Sequence, residues 1–218
     1  MDININNIDI HYKRSGEGRP LILLHGNGED HHIFDALGDK LSQHYTVYAV
    51  DSRNHGKSAK HPDVGYDAMT LDVYAFITAL KLTKVSILGF SDGAIIALQL
   101  AMAHPDLLDK IVLLGINLSP SDFKPHVYQE IKDAYAVNQD PLYKLMLEQP
   151  QIKLADVASV TTPALLFAGQ DDCFKQSVYD DLMSVLPNAQ FKLMEGHNHT
   201  DYIVNTDIIY PDVIKFLN

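Results

Sequence analysis

The chain has 218 residues, of which 46% are hydrophobic and 21% charged, and a formal net charge of −11. That composition suits one soluble domain with a sizeable core, and the acidic balance excludes the basic surface that nucleic-acid binding needs. A single cysteine, Cys173, excludes an internal disulfide and fits a reducing cytoplasm.

Met1-Asp-Ile-Asn-Ile-Asn6 shows no basic region followed by an apolar core, so no signal peptide is expected, and no apolar run nears the roughly 18 residues of a membrane span. Residues 3–5 and 8–13 read as a hairpin around Asn6-Asn7. The run 20–24 reads as a buried strand ending at His25-Gly26-Asn27-Gly28, followed by a helix at 32–41 and a strand at 45–50. A helix at 70–80 places Leu71, Tyr74, Ile77 and Leu80 on one face. Next come a strand at 85–88, the loop Gly89-Phe90-Ser91-Asp92-Gly93, a helix at 94–103 and a strand at 110–115. Residues 118–160 break this rhythm with Pro120, Pro125, Pro141 and Pro150, and read as a small insertion over a site. Strands at 164–169 and 190–194 and helices at 177–186 and 208–217 complete the chain.

Buried strands alternating with helices imply a mostly parallel sheet covered on both faces. In such sheets, sites form beyond the carboxyl ends of the strands. His25-Gly26, Asp51, Ser91 and Asp171-Asp172 all sit at such ends. The Gly89–Gly93 segment has the layout of a nucleophile elbow, a serine held on a tight strand-to-helix turn. A serine hydroxyl needs a base to become a nucleophile, and the base needs an acid to orient it. Downstream, Asp171-Asp172 offers two carboxylates, and His197-Asn198-His199 offers two imidazoles. Ser, then Asp, then His is the chain order used with such elbows.

With these motifs the chain resembles the α/β-hydrolase superfamily from about residue 8 onward. Its His25-Gly26 loop resembles that family's oxyanion loop, and Asp51-Ser-Arg-Asn-His-Gly-Lys-Ser58 resembles its D-x-R-x-x-G-x-S segment. Gly169-Gln-Asp-Asp172 is similar to its acid turn, and Gly196-His197 to its Gly-His pair. The resemblance implies an α/β-hydrolase fold in a single domain, with residues 118–160 as a small helical cap. It implies Ser91 as nucleophile, Asp172 as acid, His197 as base, and the backbone N–H groups of Asn27 and Asp92 as the oxyanion hole. The expected activity is cleavage of small-molecule carboxylic esters through an acyl-enzyme. C–C bond hydrolysis, lactone opening or perhydrolysis by the same triad stay open, as does a ligand receptor with little turnover. The substrate-binding residues and oligomeric state are left unassigned, and no membrane or nucleic-acid partner is expected.

Asp92 has two readings. A carboxylate at a helix N-terminus is favoured by the helix dipole. The elbow is also similar to that of the valacyclovir hydrolases, in which the acidic neighbour binds the α-amino group of amino-acid esters. No metal or cofactor is expected, because no metal-ligand spacing such as H-E-x-x-H is present, and adjacent His31 and His32 are expected to point in different directions. Arg53 and His55 are expected to hold loops, and Cys173 to fill space near the site.

Overall fold

A computed structural model describes all of residues 1–218. Eight strands form one sheet: β1 (Asp2–Ile5), β2 (Ile8–Ser15), β3 (Arg19–Leu24), β4 (Tyr45–Val50), β5 (Val85–Phe90), β6 (Leu108–Leu114), β7 (Ala164–Asp171) and β8 (Ala189–Asn198). Their spatial order is β1-β2-β4-β3-β5-β6-β7-β8, with β1–β2 and β2–β4 antiparallel and every later pair parallel. The helices are α1 (Asp35–Leu41), α2 (Tyr66–Ala79), α3 (Asp92–Ala103), α4 (Pro125–Asn138), α5 (Pro141–Glu148), α6 (Leu154–Val157), α7 (Ser177–Val185) and α8 (Tyr210–Leu217).

The pleat of the central strands divides the core in two, because successive side chains leave opposite faces. Ile22 and Leu24 of β3, Ile87 of β5 and Leu166 of β7 pack with α2, α3 and α7 on one face. Leu21, Leu23, Leu88, Leu165 and Phe167 pack with α1 and α8 on the other. Continuous apolar runs such as Leu21-Ile22-Leu23-Leu24 are therefore what strands buried on both faces require.

The α/β alternation read from the sequence is borne out, with two adjustments. The first turn of the 32–41 helix is a 3-10 turn at His31–Phe34 before α1 begins. On α2 the buried face is Met69, Val73, Phe76 and Ile77, while Leu71 is 58% exposed. The helix starts four residues earlier than expected, and its core-facing stripe is set by packing on α3 and β1. No helix is long and apolar enough to cross a membrane.

Candidate active site

The cavity lies at the carboxyl ends of β3, β5, β6 and β7. Residue 91 joins β5 to α3 with φ +51° and ψ −111°, a conformation that a non-glycine residue adopts only under constraint. The constraint is close packing. A Cβ on Gly89 would strike the carbonyl of Gly93, and a Cβ on Gly93 would strike the carbonyl of Leu24. Strand, turn and helix thus approach closer than any side chain permits, lifting Ser91 into the cavity wall.

Asp172 follows β7 and is 3% exposed. Its Oδ1 accepts from Nδ1 of His199 at 2.8 Å and from the N–H of Phe174 at 3.2 Å. Its Oδ2 accepts from the N–H of Gly169 at 3.3 Å and from the Tyr179 hydroxyl at 3.4 Å. Burial pushes the Asp172 pKa up, but the hydrogen bond and charge of His199 outweigh it and leave the carboxyl below its ordinary value. For His199, burial works downward, and the neighbouring Cys173 and Asp172 more than reverse it, so its pKa is raised.

The imidazole on Asp172 is thus His199, not the expected His197. The cause is a bulge at the sheet edge. Gly169 pairs with Met194 and Asp171 with Asn198, so one residue of β7 faces three of β8. The excess carries His197 outward, where its Nδ1 lies 3.0 Å from Oδ1 of Asp201. Residue 199 then returns beside Asp172, with its ring against Phe90 (centroids 4.9 Å apart) and edge-on to Phe174 (5.2 Å). A Cβ on Gly115 would come within 2.6 Å of Cε1 of His199, so the end of β6 is bare where the ring lies.

Asn27 and Asp92 meet through their side chains: Nδ2 of Asn27 donates to Oδ2 of Asp92 at 3.0 Å. Oδ1 of Asp92 accepts from the Tyr66 hydroxyl at 2.7 Å. Burial raises the Asp92 pKa, against the hydrogen bond from Tyr66. Glu29 ties the same loop, its Oε2 accepting from the N–H of Gly26 at 3.0 Å. Tyr66 and Glu29 escaped the sequence reading. Glu29 lies two residues beyond Asn27 in a loop already singled out, whereas nothing in the linear sequence joins Tyr66 to Asp92.

The cavity, about 210 Å³, also takes apolar walls from Phe123, Val127, Ile131, Met146 and Phe174. Neither lysine nor arginine lines it. Cys173 is half-buried in this wall, and burial raises its pKa, keeping it a thiol. Asp51 and Arg53 act on loops: Asp51 accepts from the N–H groups of His31 and Lys57, and Arg53 grips both oxygens of Asp72 at 2.6 and 2.8 Å. The His31 and His32 rings do not diverge as expected but lie side by side, with centroids 4.1 Å apart. In the 3-10 turn the tighter winding and two separate carboxylate partners keep them together.

Residues 19–136 match the family model described as the alpha/beta hydrolase fold. The chain belongs to the α/β hydrolase fold family. Within this family it is 24% identical over 237 residues to a Haemophilus influenzae protein whose name assigns it provisionally to the esterases/lipases, covering 91% of this chain and 83% of that one. It is 34% identical over 140 residues to human serine hydrolase BPHL, covering 60% of this chain but only 47% of that protein. The enol-lactonase from Burkholderia xenovorans LB400 superposes with a TM-score of 0.83 at 18% identity, covering 100% of this chain and 99% of the other. At that identity the superposition speaks for the α/β hydrolase fold alone.

Proposed function

We propose that the protein is a serine hydrolase that cleaves small, uncharged carboxylic esters. The observation carrying this reading is the 2.8 Å bond between His199 and buried Asp172, in one cavity wall with Ser91 on its positive-φ turn. With Nδ1–H held by Asp172, Nε2 of His199 is the free base. It takes the proton of Ser91 as Oγ attacks the acyl carbon, and Asp172 stabilises the imidazolium that forms. The N–H of Asp92 is the first of α3 and lacks an intrahelical acceptor. Together with the N–H of Asn27 it would hold the oxyanion, and each such donor is worth about 3–4 kcal/mol. His199 returns the proton to the leaving alcohol, and water activated by the same ring releases the acid.

Asp92 serves as a brace. Its carboxylate joins the Asn27 side chain to Tyr66 and so fixes the spacing of the two backbone donors. The substrate class follows from the cavity walls. Glu29 and Asp92 line a cavity with no lysine or arginine, so a carboxylate on the acyl group would be buried beside two acidic groups without a fixed cation to pair with. The segment between β6 and β7, with α4 to α6, acts as the cap that shapes the apolar side. A fluorophosphonate probe and paired p-nitrophenyl esters test the proposal. Expected are labelling lost in Ser91→Ala and turnover of butyryl far above hemisuccinyl ester; labelling at another residue rejects the mechanism, and equal turnover rejects the substrate class.

A further inference from the structure

His31 and His32 open the 3-10 turn behind Asp30, on residues that do not line the catalytic cavity. Their ring planes are tilted by only 32° at a separation of 4.1 Å. Each imidazole already commits its Nδ1 to a carboxylate, His31 to Asp51 at 2.7 Å and His32 to Asp35 at 2.8 Å. A carboxylate only accepts, so in the neutral ring Nδ1 carries the proton and Nε2 keeps its lone pair. Metal-binding imidazoles have this tautomer and this kind of outer partner. Asp30 adds an oxygen donor, since its Oδ1 takes the His32 N–H at 2.8 Å and leaves Oδ2 over. Ligand atoms of the three residues all lie within 4.8 Å of one another. A third ring, His11, stands 5.6 Å from His31 with its own Nδ1 on Asp2 at 2.7 Å. Lys13 is the cation at this corner and is paired with Asp35.

We propose that Asp30, His31 and His32 bind a divalent transition-metal ion of the zinc class, at a site separate from the hydrolytic centre. Two imidazole nitrogens and one carboxylate oxygen suit Zn²⁺, Co²⁺, Ni²⁺ or Cu²⁺ rather than the oxygen-seeking Ca²⁺ and Mg²⁺. Bonds of about 2.0–2.1 Å draw ligand atoms closer than they now stand. The side chain of His32 is 58% exposed, and rotation about its Nδ1–Asp35 contact closes the set. Water completes the coordination, and the ion ties the 3-10 turn to the loop before it.

Two other clusters bring ligand atoms within 4.8 Å: His11, His31 and Asp51 share His31 with this site, and Asp172, Cys173 and His199 lie in the cavity, so the test is made in a Cys173→Ser background. Zn²⁺ is titrated calorimetrically into this protein, and Co²⁺ absorption reports the coordination. Expected are one ion per chain, a nitrogen-bearing Co²⁺ spectrum, and affinity reduced at least about tenfold by His32→Ala and about 10–100-fold by Asp35→Asn. Ester turnover without metal is expected to stay at the parent level in His32→Ala, which also shows that this variant folds. No binding by the parent, unchanged affinity in His32→Ala, or loss in His11→Ala alone each overturns the assignment.

Discussion

At the scale of single residues, two imidazoles two positions apart have unlike fates. His199 is seated on Asp172 in the cavity, and His197 pairs with Asp201 outside it. His199→Ala is therefore expected to lower kcat/KM for p-nitrophenyl acetate at least about a thousandfold, and His197→Ala to change it less than about threefold. Steady-state kinetics of the two purified variants decide this. The raised pKa of His199 also fixes the direction of a pH profile. The proposed base works only when neutral, so kcat/KM is expected to rise with pH, with a midpoint above the ordinary imidazole value of about 6.5. Asp172→Asn removes the partner that holds the imidazolium. It is expected to bring that midpoint down and to cost about ten-thousandfold in kcat, readable from the same profile.

At the scale of elements, β5, the turn at Ser91 and α3 act as one packed unit. A methyl group at Gly93 meets a main-chain carbonyl, which cannot rotate aside as a flexible side chain could. Gly93→Ala is expected to cost about 3 kcal/mol or more in urea unfolding and to lower kcat even where the protein stays folded, because the Asp92 N–H moves with the helix. This unit was legible in the sequence, since Gly89, Ser91 and Gly93 record the close approach directly. The acid turn was legible too, as a carboxylate directly after a strand. His199 was not, because its position depends on three residues of β8 bulging against one of β7. Such a pairing between strands leaves no local mark on either, and the preceding Gly196-His197 pair invites the wrong choice.

At the scale of the whole molecule, two apolar layers hold a sheet buried on both sides, and stability resides there. Leu166→Ala, at a fully buried position of β7, is expected to cost about 2–5 kcal/mol in equilibrium unfolding, whereas Leu71→Ala on exposed α2 surface costs less than about 0.5 kcal/mol. The alternation of strands and helices made this layering readable from composition and period. The exposed Leu71 shows where it failed, since the orientation of a helix is settled by the neighbours it meets. One consequence belongs to β8, the outermost strand, held by hydrogen bonds on a single side. Fraying there takes the proposed general base away while the buried layers are still intact. On gentle heating, catalysis is expected to go silent several degrees before circular dichroism reports melting, and to return on cooling.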